Sequence, residues 1–256
     1  MTLPTEFYVV AAVAVLLTGL SKSGFGGGLG IMAVPLMSLF VAPQFAAATM
    51  MPILLAMDII IVWRYRHDWS APVVRLLLPG AIIGLGAGAL AFHHVDAALI
   101  RFAVGLLALS FVAQYVLSRR RYDGDRAARN ETVLALGAVS GFASFIAHAG
   151  GPPVKGFLLR KRLEKSAFVG TNTIFFFLLN ATKAVAYGAL GHYSAESLGL
   201  SLTLSPILVL GVLIGFKLHG LIDQTRFTAV VYTLLAVTGS KLVWDSVPLL
   251  LQPATG

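Results

Sequence analysis

Ser21-Lys22-Ser23-Gly24-Phe25-Gly26-Gly27-Gly28-Leu29-Gly30 breaks an apolar segment near the start of the chain. His148-Ala149-Gly150-Gly151-Pro152-Pro153 breaks another about half the chain later. In a water-soluble protein both stretches would be loops. Here each is flanked by hydrophobic segments too long and too continuous for an ordinary core. Lipid tolerates broken helix only where the freed backbone groups are buried in protein or line a cavity. Paired breaks at matching places in two halves of a chain are the sequence signature of a secondary transporter's binding site.

Composition places the chain in a membrane. Hydrophobic residues make up 57% of its 256 positions and charged residues 12%; the mean hydropathy is +0.85. That charged share is about half the usual globular value. The reading is therefore an integral membrane protein. Residues 1–6 carry no basic residue, so the apolar run 7–20 reads as a retained helix and not as a cleaved signal peptide. The lack of cysteine excludes disulfides and thiolate metal sites. With no HExxH spacing and no Walker motif, neither a metal, nor another cofactor, nor ATP hydrolysis is expected.

Apolar runs fall at 5–21, 29–42, 45–63, 72–92 and 98–118, and again at 132–148, 151–159, 166–190, 199–218 and 226–247. At ~1.5 Å per residue a span of the ~30 Å hydrocarbon core needs about 20 residues. The second run of each set is too short for a comfortable crossing. The stretches 5–42 and 132–159 therefore read as helix–break–helix hairpins, each followed by three clear spans. The expected fold is an all-α polytopic membrane protein of eight spanning-type helices, with each hairpin counted as one broken helix. Residues 1–118 form a first repeat, 119–130 a basic linker and 131–256 a second repeat.

The net charge of +8 would suit a nucleic acid, but its placement suits orientation. Arg64, Arg66 and Arg75 flank one connection, and Arg119, Arg120, Arg121, Arg126 and Arg129 fill the central one. Arg160, Lys161, Arg162 and Lys165 follow the second hairpin, and Lys217 and Arg226 flank the last connection. All fall on one side of this segmentation, while the opposite loops 42–44, 93–97 and 190–198 hold no Lys or Arg. By the positive-inside rule the basic side, including the central loop, is cytoplasmic in a bacterial inner membrane. No nucleic-acid partner is expected.

Sliding the chain by 122 residues aligns Gly19 with Gly141, Gly28 with Gly150, Thr49 with Thr171 and Asp58 with Asn180. With a slightly larger offset Pro79, Gly84 and Gly88 meet Pro206, Gly211 and Gly215. The first half starts outside and the second inside, so the repeats are expected to be inverted. Their hairpin tips would then meet near the midplane. The glycines spaced four apart on the later helices read as packing surfaces.

Four stretches carry a family resemblance: the Gly-Phe-Gly-Gly-Gly break, Ala48-Thr49, Ala149-Gly150-Gly151-Pro152 and Gly170-Thr171-Asn172. Over residues 8–245, about the whole chain, it resembles the sulfite exporter family TauE/SafE. The resemblance implies a polytopic anion transporter, with members linked to export or uptake of sulfite and organosulfonates.

Ionisable groups at membrane depth are functional candidates. Helix starts near Gly28 and Gly151 would present N–H groups and a positive dipole end to an anion. The substrate-binding candidates are Lys22, Ser23, Gly26, Gly27, Gly28, Thr49, Gly150, Gly151, Thr171 and Asn172. Asp58 and His148 are candidates for proton coupling or a structural role. Lys22 and Asp58 form either a structural ion pair or part of the site. Asn180 reads as an interhelical hydrogen-bonding residue. Straight-rod depths put Lys183 near the outer face, where its amine would snorkel to water. Lys241 and Asp245, four apart, are expected to pair. Ser144 and His148, one turn apart, lack a third orienting group, so no catalytic residue is assigned. Function is expected to be secondary transport of a small anion by alternating access. The rivals are a passive anion channel and a membrane-embedded accessory protein or enzyme.

Overall fold

Proline punctuates this chain where helices begin. Pro43 opens one helix behind an extended Ala42, and Pro72 and Pro152 stand in the first turns of two others. A missing N–H is harmless there because the first helical donors have no intrahelical partner. The computed structural model describes residues 3–24, 30–118, 130–161, 163–218 and 224–251. Among these there is no strand.

The helices in chain order are α1 (Thr5–Gly24), a 3₁₀ turn (Gly30–Met32) leading into α2 (Ala33–Met37), α3 (Pro43–Tyr65), α4 (Ala71–His94) and α5 (Ala97–Ser118). The second half repeats the order: α6 (Asn130–Ala147), α7 (Gly151–Arg160), α8 (Lys165–Ala189), α9 (Ala195–Leu218) and α10 (Gln224–Leu251). Each half is one helix, one short piece and three long helices, as the apolar runs predict. Seven helices among the described residues are long and apolar enough to cross a membrane: α1, α3, α4, α5, α8, α9 and α10. The eighth expected span is α6, a shorter apolar helix that is followed, after a break at 148–150, by α7.

The outward faces are apolar. Leu202, Leu210, Val237 and Trp244 stand exposed on α9 and α10. Such a surface, unfavourable in water, suits lipid chains. Near the end of α3 the exposed Trp63 ring carries the Arg66 guanidinium at 4.6 Å, a pairing suited to the headgroup level.

The closest helix pairs run between the halves: α1 on α9, α4 on α6, α3 on α8 and α5 on α10. Glycine makes them close, as expected for small residues in membrane helices. A Cβ on Gly84 of α4 would overlap the Ala138 carbonyl of α6, and one on Gly211 of α9 would come within 2.9 Å of the Leu16 carbonyl of α1. One turn on, Gly88 faces Phe142 and Phe145, while Gly215 faces Leu20 and Ser23. Ala138, Phe142 and Phe145 lie at the offset of 122 residues from Leu16, Leu20 and Ser23. The contacts repeat in the register that the aligned glycines predict. This packing leaves α3 and α8 as the most buried spans.

Candidate functional site

Asn172, Phe176, Asn180, Lys183 and Tyr187 recur every three or four residues along α8. They therefore share one face, and all five are buried. An inward polar stripe on a membrane helix must find partners, because lipid offers none.

Lys22, in the last turn of α1, meets the first of them through Asp58 of α3. Its Nζ lies 2.5 Å from Asp58 Oδ1, and Asn180 Nδ2 donates to Asp58 Oδ2 at 2.6 Å. Both carboxylate oxygens are thus occupied, and the Asp58 side chain is fully buried. The Lys22 side chain keeps 13% of its surface open. Lys22 and Asp58 form a buried ion pair, and Lys22 also borders a cavity.

His148 closes α6. Its N–H donates to the Ser144 carbonyl at 3.1 Å, and its φ is +52°. It is the one non-glycine residue with positive φ among those described. A left-handed residue after the last turn is a common helix stop, but usually it is glycine. Histidine costs more there, and both ring nitrogens hold it in place. Nε2 lies 2.8 Å from the Ala47 carbonyl of α3, and Nδ1 lies 2.6 Å from Lys183 Nζ. A carbonyl only accepts, so Nε2 carries a hydrogen.

Lys183 is fully buried. Its ammonium donates to the Ser144 carbonyl at 2.8 Å and to Ser144 Oγ at 3.0 Å, beside the His148 contact. The expectation of a snorkelling lysine is therefore corrected. The amine turns inward because the end of α6 lies within its reach, and the carbonyls of a helix C-terminus attract a cation. Aromatic rings close the route that snorkelling would take: Tyr187 bonds the Phe145 carbonyl at 2.7 Å, and Phe92, Phe145 and His192 gather around it. In the loop beyond α8, burial raises the Tyr193 phenol above its ordinary range, so its hydroxyl stays a donor, 3.4 Å from the Ala184 carbonyl.

Between these groups lies a cavity. Lys22, Thr18 and Gly30 line it from the first half; Ser144, His148, Gly151, Asn172 and Asn180 line it from the second. Leu54, Ile31 and Phe176 complete the wall. Of the predicted residues, Lys22, His148, Gly151 and Asn172 come together here, with Asp58 directly behind Lys22. Ser23 instead donates to the Gly19 carbonyl of its own helix at 2.7 Å. Thr171 Oγ1 accepts the Ser70 N–H at 2.8 Å, capping the start of α4. The Thr49 carbonyl accepts Ser201 Oγ at 2.7 Å, and its buried hydroxyl has no partner among the described residues. The Gly150 carbonyl accepts Ser140 Oγ at 2.7 Å. Gly26, Gly27 and Gly28 lie outside the described residues.

The donor set at the second break is thinner than the glycines suggest. Pro152 and Pro153 follow Gly151, and proline has no N–H. The start of α7 therefore offers few backbone donors, and the positive charge at the cavity comes from side chains. The sequence reading left out Thr18, Ser144 and Asn180 on the wall and Lys183 behind it. The signal was present in the spacing of Asn172, Phe176, Asn180 and Lys183 on one face of α8. Ser144 and His148 both meet Lys183, an arrangement different from a nucleophile and its base. The surface pair Lys241–Asp245 forms at 2.8 Å, as its spacing predicts.

In comparisons with known proteins, the family model described as "Sulfite exporter TauE/SafE" matches residues 11–242. Neither curated proteins nor solved structures gave a match.

Proposed function

The chain belongs to the sulfite exporter TauE/SafE family of membrane transporters, and from that premise we propose that it moves a small anion across a bacterial inner membrane by alternating access. The substrate class is a sulfur oxyanion or an organosulfonate. The observation that carries this reading is the cavity between the two halves, bordered by Lys22 and His148 and backed by Lys183, with Asp58 behind Lys22. Cations held in a low-dielectric site bind an anion far more strongly than they would in water.

The inverted-repeat reading supports the mechanism. Positive charge on one set of connections puts the central loop in the cytoplasm. The chain halves then enter the membrane from opposite faces. Two related bundles around one site can rock against each other and expose it to each side in turn. His148 bonds α3 through one nitrogen and α8 through the other, so the second hairpin tip is tied to both halves.

The test is uptake into proteoliposomes of sulfite, taurine, sulfoacetate and a carboxylate control. Saturable uptake and counter-exchange of a sulfur anion, lost in Lys22→Met, is the expected result. Large non-saturating currents would indicate a passive pore. No movement of any anion, while a related transporter prepared alike is active, would overturn the proposal.

A further inference from the structure

The contacts that Lys183 makes as an ammonium are met equally by the neutral amine, and one hydroxyl tells the two states apart. As an ammonium, Lys183 has three hydrogens for three acceptors: the Ser144 carbonyl, Ser144 Oγ and His148 Nδ1. The neutral amine has two hydrogens and one lone pair for the same three partners. The carbonyl only accepts, and so does Nδ1, because the ring hydrogen sits on Nε2 facing Ala47. Both amine hydrogens therefore go to them, and the lone pair accepts from the Ser144 hydroxyl.

One added proton reverses that last bond. On Lys183 it makes Ser144 Oγ an acceptor. On His148 Nδ1 it makes the amine accept from the ring and give both its hydrogens to Ser144, with the same result. In either charged form the Ser144 hydroxyl hydrogen is released, and Ser144 borders the cavity, where a ligand can accept it. The charges within electrostatic reach of Lys183 are Lys22 of α1 and Asp58 of α3, which pair with each other. Tyr187 on α8 gives its hydrogen to the Phe145 carbonyl, α4 brings Phe92 to that ring, and His192 and Tyr193 of the next loop also pack on it. Among the described residues no carboxylate pairs with Lys183. A buried cation without a counter-ion is costly, and an anion in the cavity supplies the missing charge.

We propose that Lys183 with His148 is the site where a proton loads together with the anion: one proton enters the pair as one monovalent anion enters the cavity, and Ser144 links the two by turning its hydroxyl from Lys183 to the anion. This rests on the transport reading and gives it a coupling ion. The proton comes from water and forms an N–H bond on the pair; the Ser144 O–H bond stays intact and only rotates. The negative charge of the anion and the positive charge of the proton cancel, so the buried region keeps its net charge when it loads.

The probe is methanesulfonate, which stays a monoanion at every pH used. Calorimetry on detergent-purified full-length protein, in buffers of different ionisation enthalpy from about pH 6 to 9, counts the protons taken up per anion bound. Wild type is expected to take up close to one proton within that range, where its dissociation constant rises about tenfold per pH unit. Lys183→Met should bind more weakly, take up no proton and show no pH dependence. Ser144→Ala removes the hydroxyl that serves both states and should weaken binding about tenfold or more; Ser144→Thr should restore both affinity and proton uptake. If Lys183→Met does not fold, the wild-type profile and the Ser144 pair still decide. Binding by wild type without proton uptake, uptake that persists in Lys183→Met, or a Ser144→Ala variant indistinguishable from wild type would overturn the inference and leave transport standing. Binding of neither methanesulfonate nor sulfite by wild type would overturn both.

Discussion

Asp58 and Asn180 stand 122 residues apart, at corresponding places in the two halves of the chain, and their side chains share a hydrogen bond of 2.6 Å. Residues related by a two-fold operation can touch only beside its axis. An axis relating the halves would therefore pass between α3 and α8, at the cavity. Lys22 and Ser144 share the same offset, and both line that cavity. The halves differ in where they put their lysine: α1 carries it in the first and α8 in the second. Lys22 meets the Asp58 carboxylate, whereas Lys183 meets the Ser144 oxygens and His148 Nδ1.

Removing Lys183 should cost stability as well as binding. Lys183→Met leaves the His148 Nδ1 acceptor buried without its donor, a penalty of about 1–3 kcal/mol. A fall in the midpoint of thermal unfolding in detergent is the expected readout. Lys183→Arg should restore it poorly, because a planar fork cannot replace a point donor in this confined site. Full recovery of the midpoint by arginine would contradict the three-acceptor geometry.

At the hairpin tip, backbone and side-chain demands can be separated. His148→Gly suits φ +52° but loses both ring bonds, so the fold should persist with transport abolished. His148→Val meets the same backbone with a β-branched residue and should destabilise the tip by about 1–2 kcal/mol more. Thermal unfolding and anion uptake on the two variants would show it. Equal stability of the two would mean that the backbone constraint is unimportant.

Neighbouring residues on α8 should behave differently. Thr171→Val removes the acceptor for the Ser70 N–H and should cost about 1 kcal/mol of stability, as a lost helix cap does. Its effect on substrate affinity should be small, and Thr171→Ser should be silent. Asn172→Ala, on the cavity wall, should change affinity instead. Binding titrations on the three variants check the assignment, which fails if Thr171→Val alone abolishes binding.

Helix contacts offer a control within one helix. Gly84→Ala drives a Cβ into the Ala138 carbonyl, and a backbone atom cannot swing aside as a side chain can. Separation of α4 from α6 should lower the yield of folded protein and its unfolding midpoint. Gly86→Ala meets nothing within 4 Å and should be neutral or stabilising by up to about 1 kcal/mol. Size-exclusion profiles and melting curves of the pair measure the difference.

The helix starts and ends, the two breaks and the pairing of small residues were legible because each depends on local chemistry. Hydropathy marks spans, proline marks starts such as Pro43, and glycine marks both breaks and close contacts. Lys22–Asp58 was legible as an alternative, since two opposite charges at one depth favour pairing in lipid. The membership of the cavity was not. Straight-rod depths sorted Thr49 and Thr171 with the site, yet neither lines the cavity: Thr171 Oγ1 accepts the Ser70 N–H, and the Thr49 carbonyl accepts Ser201 Oγ.

Linear order and residue chemistry sufficed to specify a helical membrane protein, because hydrophobic length is a property of consecutive residues. Which lysine meets a carboxylate depended on the packed fold. Lys22 and Lys183 are equally cationic as sequence. Their difference arises only when Asp58 of α3 reaches one, while Ser144 and His148, neutral acceptors from the end of α6, surround the other. Charge at a buried site is a sum over neighbours, and neighbours from different helices are set by tertiary contact.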